Sequence, residues 1–153
     1  MILYLFLTAL VIALDQVTKH LFYGKIATSI LGDFLWFDST LNTGVAFSIF
    51  SGKSMQIVLI VFSSIAALFM LMLILSNAFL KNRAEKIMLA LILGGTIGNI
   101  IDRIVFGGVR DFVYLKFMDF PIFNVADMFI TISAIVLCIY VLHHISKKKE
   151  EDD

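Results

Sequence analysis

The sequence predicts a mainly α membrane protein, with four transmembrane helices and a small β-containing extracytoplasmic segment between helices 1 and 2. Three observations predict it. Apolar residues make up 60 % of the chain, against about 45–50 % in a soluble domain, and mean hydropathy is +0.98. Four apolar runs recur along the 153 residues. Between the first two lies "GDFLWFDSTLNTGVAFSIF", whose aromatics, Thr and Gly favour short strands and turns. So much apolar surface exceeds what one small core can bury, and lipid is the natural solvent for the remainder.

The first run, "MILYLFLTALVIAL" from Met1, extends through Asp15 and Lys19 to predict a helix over about 1–22. It lacks a basic start and a small-x-small cleavage site, so it reads as a retained helix and not as a removed signal. "MQIVLIVFSSIAALFMLMLIL", Met55 to Leu75, carries no charge and predicts a helix over about 55–76. "IMLALILGGTIGNII", Ile87 to Ile101, reaches the roughly 20 residues of a membrane span only with Asp102 and Arg103 included, giving about 85–105. "MFITISAIVLCIYVLHHI", Met128 to Ile145, predicts a helix over about 125–145. The chain 1–153 then reads as a single integral membrane domain. Segments of about 23–54 and 106–124 lie on one side, and a tail over 146–153 lies on the other. "VRDFVYLKF" partly alternates and suits a short strand, and Pro121 precedes helix 4, where its fixed φ does little harm.

Basic residues in short loops set the orientation. Lys81, Arg83 and Lys86 lie between helices 2 and 3, and Lys147, Lys148 and Lys149 lie in the tail. They place both termini in the cytoplasm and the segments 23–54 and 106–124 outside, although Lys25, Lys53, Arg110 and Lys116 dilute the bias. Trp36 and its Phe neighbours suit the outer interface. Twelve basic and twelve acidic residues balance to zero, which leaves no nucleic-acid footprint. One Cys, Cys138, excludes an intrachain disulfide. With three His it offers no metal-ligand spacing, so no cofactor is expected.

Each polar residue has a local explanation. Asp15 and Lys19 are four apart, the spacing of a helical ion pair. Asn42-Thr43-Gly44 suits a turn. Asn99, Asp102 and Arg103 share one helical face. Arg110 and Asp111 suit a surface ion pair, and Asp119 before Pro121 suits a turn. Asn124 and Asp127 suit the N-cap and third position of helix 4. Gly94, Gly95 and Gly98 read as a close-packing seam, Cys138 as a packing residue, and His143 and His144 as interfacial.

Their shared depth is harder to explain locally. Asp15, Lys19, Asn42, Asn99, Asp102, Arg103, Asp111, Asn124 and Asp127 all fall near the outer boundary, which predicts a site there. Two carboxylates in a partly dry site cannot easily both ionise. Such a pair can take a proton from water and give one to a carbonyl oxygen, hydrolysing a peptide without metal, Ser or Cys. Periodicity does not choose which two of Asp15, Asp102, Asp111, Asp119 and Asp127 form the pair.

Two other classes compete. A small proton- or ion-coupled transporter also uses intramembrane acids, but it needs polar groups through the bilayer, and helix 2 offers mainly Gln56, Ser63 and Ser64. The glycine seam alone would suit an assembly protein.

Five stretches, in order, are "DQVTK" (Asp15 to Lys19), "NTGVAFS" (Asn42 to Ser48), "GGTIGNIIDR" (Gly94 to Arg103), "GGVRDF" (Gly107 to Phe112) and "FNVADMF" (Phe123 to Phe129). Through them the chain resembles bacterial lipoprotein signal peptidase (signal peptidase II) over nearly its whole length. Val45 stands where that family often has Ala. The resemblance implies an aspartic endopeptidase with Asp111 and Asp127 as its catalytic pair. It implies that Asn42, Asn99, Arg103 and Asn124 line the substrate site, that Asp15 and Lys19 support it, and that Asp102 holds Arg103 and the helix end. The implied reaction removes the signal peptide from a prolipoprotein, cutting before a Cys that carries a diacylglyceryl group. Partners are then the lipid-modified substrate and membrane lipids, with no nucleic acid and no obligate protein partner, in the bacterial inner membrane. The aromatics from Asp33 to Phe37 are expected as a platform or lid over the site.

Overall fold

A computed structural model describes the chain except residues 26, 33, 45–52, 77–79, 81 and 153. Asp33, Lys81 and the 45–48 part of "NTGVAFS" therefore lie outside the described residues. The elements in order are α1 (Ile2–Phe22), β1 (Thr28–Leu31), β2 (Leu35–Asn42), α2 (Lys53–Leu75), α3 (Arg83–Phe106), β3 (Val109–Tyr114), a 3-10 turn (Lys116–Met118) and α4 (Val125–Asp152).

All four helices are long and apolar enough to cross a membrane, α4 through its Val125–Lys147 part. Lipid offers the backbone no hydrogen-bond partners, so a spanning segment must satisfy itself as a helix. The chain is a multi-pass membrane protein. α4 runs to Asp152, so the expected tail continues the helix. Lys and Glu are good helix formers, and nothing in their chemistry ends a helix where it leaves lipid. Large apolar side chains such as Phe62, Leu68, Ile139 and Leu142 stay exposed on the outward faces, as a lipid solvent permits. Cys138 is exposed among them and is not the packing residue expected.

α3 is the central helix and packs against α1, α2 and α4. Its glycines make this possible. A Cβ on Gly94 would stand 2.7 Å from Val11 Cβ on α1, and one on Gly95 would stand 2.6 Å from the Ala126 carbonyl oxygen on α4. A Cβ on Gly98 would collide with the Asp15 carboxylate. The expected seam thus serves two neighbours, with Gly94 and Gly98 towards α1 and Gly95 towards α4. Ile74, near the end of α2, and Ala90 and Leu93, in the first half of α3, form an apolar core with Leu7, Met70 and Leu71 against it, and the Thr8 hydroxyl donates to the Ala90 carbonyl at 3.0 Å.

Lys86, counted among the basic residues between helices 2 and 3 and at the start of the expected helix 85–105, lies inside α3 and is 5 % exposed. Its ammonium donates to the Ser76 carbonyl at 3.0 Å beyond the end of α2, where a cation is favoured. At the other end of α3, Gly107 adopts φ 71° and closes the helix through its N–H on the Arg103 carbonyl. That left-handed step, cheap only for glycine, turns the chain directly into β3.

The three strands form one antiparallel sheet in the order β1-β2-β3. In the β2–β3 pairing Thr40 faces Asp111 and Asn42 faces Val109. Phe123 bridges to Val113, which draws the residues preceding α4 against β3. Phe22, Phe37 and Phe112 pack sheet to helix, with centroids 4.4 and 5.5 Å apart from Phe22. Phe34 stacks on Phe117 at 4.4 Å, and the Lys116 ammonium sits 4.1 Å from the Trp36 ring centre. Among the described residues the aromatics of 34–37 therefore pack within the sheet layer and do not cover the polar cavity described next.

Candidate active site

At the end of the bundle that carries the sheet, nine predicted polar residues converge from five elements. α1 brings Asp15 and Lys19, both 0 % exposed. The Lys19 ammonium donates to Asp15 Oδ2 at 2.8 Å and to Asn99 Oδ1 at 2.9 Å, and lies 3.4 Å from Asp102 Oδ2. The helical pair expected of Asp15 and Lys19 forms, and it reaches into α3. The free Asp15 oxygen accepts the Ala126 N–H at 3.0 Å, so a carboxylate of α1 meets the positive end of α4.

Asp111 comes from β3. In a strand successive side chains leave on opposite faces, so neighbours Arg110 and Asp111 cannot serve each other. The expected surface pair does not form. The Arg110 guanidinium turns to Asp102, with Nε on Oδ2 at 3.1 Å and Nη2 on Oδ1 at 2.8 Å. The Arg110 backbone N–H adds a bond to Oδ2 at 2.9 Å. This corrects a second expectation, that Asp102 holds Arg103. Arg103 instead places Nη1 3.4 Å from the carbonyl of Asn99 in its own helix, and its buried Nε–H finds no acceptor among the described residues.

Three asparagines hold the carboxylates. Asn124 Nδ2 donates to Asp111 Oδ1 at 2.6 Å, and Asn42 Nδ2 donates to Asp111 Oδ2 at 3.2 Å. Asn99 Nδ2 donates to Asp127 Oδ1 at 2.8 Å. The capping expected of Asn124 and Asp127 is also present, and Asn42 accepts the Gly44 N–H at 3.1 Å as a turn residue does. Local and site readings are both true of these residues. Asp111 is 2 % exposed. Burial first, and then the charge of Asp127, push its carboxyl up to about 7, against the lowering effect of the Asn124 and Asn42 amides. Asp119 stands apart, in a left-handed turn with φ 49°, accepting the Tyr114 hydroxyl at 2.6 Å.

A cavity of about 770 Å³ opens beside these groups. Asn42, Asn99, Arg103, Asp111 and Asp127 form its polar wall, and Phe120, Ile122, Phe123, Met128 and Ile132 form its apolar wall. The aromatic cover thus comes from the segment before α4. Among the described residues no cluster of three or more His, Cys, Asp or Glu could hold a metal.

Three contributors went unrecognised in the sequence. Arg110 lay hidden behind its neighbour. Gln16, inside "DQVTK", donates to Asp15 and Asp102, each at 3.1 Å, and accepts from Arg110 at 3.0 Å. Gln56 of α2 donates to the Thr43 carbonyl and anchors the chain just after Asn42. Strand alternation was a usable signal for Arg110, whereas nothing local marks Gln56.

A membrane-spanning bundle with two carboxyls, the Asn42 and Asn99 amides and an arginine on one cavity wall is an arrangement that suits a membrane-embedded hydrolase of the aspartic type. The chain belongs to the signal peptidase II family, whose model, "Signal peptidase (SPase) II", matches residues 7–143. It is 39 % identical over 144 residues to the lipoprotein signal peptidase of Lactobacillus johnsonii, covering 92 % of each chain. It is 36 % identical over 138 residues to that of Clostridium tetani, covering 86 % of each. A bacterial membrane enzyme solved by the in meso method at 2.3 Å resolution superposes with a TM-score of 0.78 at 31 % identity, over 96 % of this chain and 92 % of that one.

Proposed function

We propose that the chain removes signal peptides from diacylglyceryl-modified prolipoproteins, cutting just before the lipid-modified Cys with a water activated by Asp111 and Asp127. The observation that carries this is the single cavity wall on which both carboxyls stand, each fixed by asparagine N–H donors. Asp111, with its carboxyl at about 7, keeps the shared proton near neutral pH. Asp127 takes the proton of the attacking water, and Asp111 protonates the departing amine. Arg103, with an unused N–H on the same wall, binds a carbonyl oxygen of the substrate backbone. Lys19, Asp15 and Asp102 hold this layer together from behind.

The substrate explains the depth. A signal peptide crosses lipid as a helix and the acyl chains lie in lipid, so the scissile bond sits at the interface. A cavity with one polar and one apolar wall suits that bond. The site then faces outward, both termini lie in the cytoplasm of a cell whose inner membrane holds the chain, and 1–153 acts as one domain. The transporter alternative lacks support. Away from the polar layer Ile74, Ala90 and Leu93 pack as an apolar core. The test is incubation of purified protein with a lipidated prolipoprotein. A shortened product ending before the lipidated Cys is expected, and an unchanged substrate would overturn the reading.

A further inference from the structure

The amides around the carboxyl pair have no freedom in which way they point, because each is held from behind by a group that can only donate. Asn42 Oδ1 accepts the Gly44 N–H at 3.1 Å, so its NH₂ must face Asp111. Asn124 Oδ1 accepts the Asp127 N–H at 3.0 Å, so its NH₂ must face Asp111 and Asn99. Asn99 is different, because the group behind it is no backbone amide. It is the ammonium of Lys19, 2.9 Å from Oδ1, three donors with no acceptor. Asn124 Nδ2 also donates to that oxygen, at 3.2 Å, so a neutral or shorter group in place of Lys19 would remove the closer and charged of the two donors that keep the Asn99 NH₂ turned towards Asp127.

We infer that Lys19 is a positioning residue for the reaction, whose buried charge acts through the locked Asn99 amide to keep Asp127 the proton acceptor of the pair. This rests on the assignment of Asp111 and Asp127 given above. Lys19 is 0 % exposed, and a buried charge is costly unless it is paired and hydrogen-bonded. Asp15 at 2.8 Å pairs it already. Arg110 takes both oxygens of Asp102, so Asp102 has its own cation and does not require Lys19. Lys19 thus balances Asp15 and Arg110 balances Asp102, and the Lys19 ammonium still has an N–H to give to Asn99 Oδ1, which faces the dyad. The charged groups facing the pair are Lys19 from α1 and Arg103 from α3. Asp15 and Asp102 lie behind Lys19, and Arg110 of β3 lies behind Asp102.

The experiment is the pH dependence of cleavage of a diacylglyceryl-modified prolipoprotein peptide by the wild type, Lys19→Met, Asn99→Leu and the double variant, with Asp111→Asn as control. Loss of a nearby cation disfavours the charged carboxylate, so both limbs of the Lys19→Met profile should move to higher pH, by about one unit. On the acid side the rate then falls roughly tenfold relative to wild type. Asn99→Leu should move the acid limb in the same direction. The two shifts should not add in the double variant, because they share one route. A Lys19→Met enzyme slower by one factor at every pH, with unmoved limbs, would overturn the inference and leave Lys19 a structural residue. Where Lys19→Met does not fold, Asn99→Leu decides alone, since Lys19 keeps Asp15 and Asp102. Its unmoved acid limb is equally fatal. An active Asp111→Asn control would sink the dyad itself, which separates that failure from failure of the relay.

Discussion

Asn124 and Asp127 cap each other. Asn124 Oδ1 accepts the Asp127 N–H at 3.0 Å, and Asp127 Oδ2 accepts the Asn124 N–H at 3.2 Å. The reciprocal pair satisfies two backbone donors at the start of α4. The same Asn124 spends its amide N–H on Asp111. One small motif therefore starts a helix and fixes the distance between two carboxyls on different elements.

The two jobs of Asn124 are separable. Asn124→Ser keeps an oxygen for the cap but loses the N–H to Asp111. Its unfolding temperature should stay near wild type while turnover falls by roughly ten- to a hundredfold. Asn124→Ala should lose the cap as well, at a cost of about 0.5–2 kcal/mol. Thermal unfolding in detergent alongside cleavage checks both.

Asp111→Asn and Asp127→Asn each leave shape and hydrogen-bonding length nearly unchanged but remove a proton site. Each should lower turnover by at least about a hundredfold, with insertion and unfolding temperature retained. Substantial turnover in either variant would contradict the proposed roles.

The raised carboxyl of Asp111, at about 7, has consequences for rate and for stability. Cleavage should decline as pH rises through about 7, because the proton donor is lost. For stability, the folded state holds a proton that the unfolded chain releases near 3.8. That contribution is complete below 3.8, shrinks as pH rises, and is gone above about 7. Asp111→Asn lacks it, so the stability of the variant relative to wild type should improve between pH 4 and 7. Paired unfolding curves across that range measure it, and a constant difference would contradict the assignment.

Gly98→Ala inserts a methyl group onto the Asp15 carboxylate. Separation of α1 from α3 by even a few tenths of an ångström would loosen the bonds of Lys19. A loss of about 1–3 kcal/mol is expected from overpacking, with lower turnover. Ala at Gly24, where a Cβ meets nothing within 4 Å but φ is +79°, should cost stability through backbone strain alone and spare turnover.

Arg110→Met removes the cation from Asp102 and leaves a buried carboxylate with only Lys19 and Gln16 beside it. Breaking a buried pair from one side costs about 3–5 kcal/mol. Loss of folded protein should therefore precede any change in the pH profile.

How much was legible follows from the range of each signal. The apolar runs placed four helices, because a span must satisfy its own backbone and so announces itself by length and composition. The Asp15–Lys19 pair, the glycine seam and the cap of α4 were legible because each depends on spacing within one helix. Arg110 was misread because charge proximity in sequence suggested a pair that strand alternation forbids. The cover of the cavity was misread because Trp36 and its Phe neighbours advertise an interface without saying which face of the sheet they occupy.

By itself the sequence determined that lipid is the solvent, where the chain crosses it, and that nine polar residues share one depth. It also carried the motifs that mark the family. Tertiary structure alone decided who meets whom: Arg110 with Asp102, Lys19 with Asn99, and Asn124 between Asp111 and Asp127. Those partners come from different elements. Their meeting depends on the left-handed step at Gly107, the β2–β3 register and the close approach that Gly94, Gly95 and Gly98 allow. Periodicity tells a residue which face it occupies, but only packing brings two faces within hydrogen-bond reach.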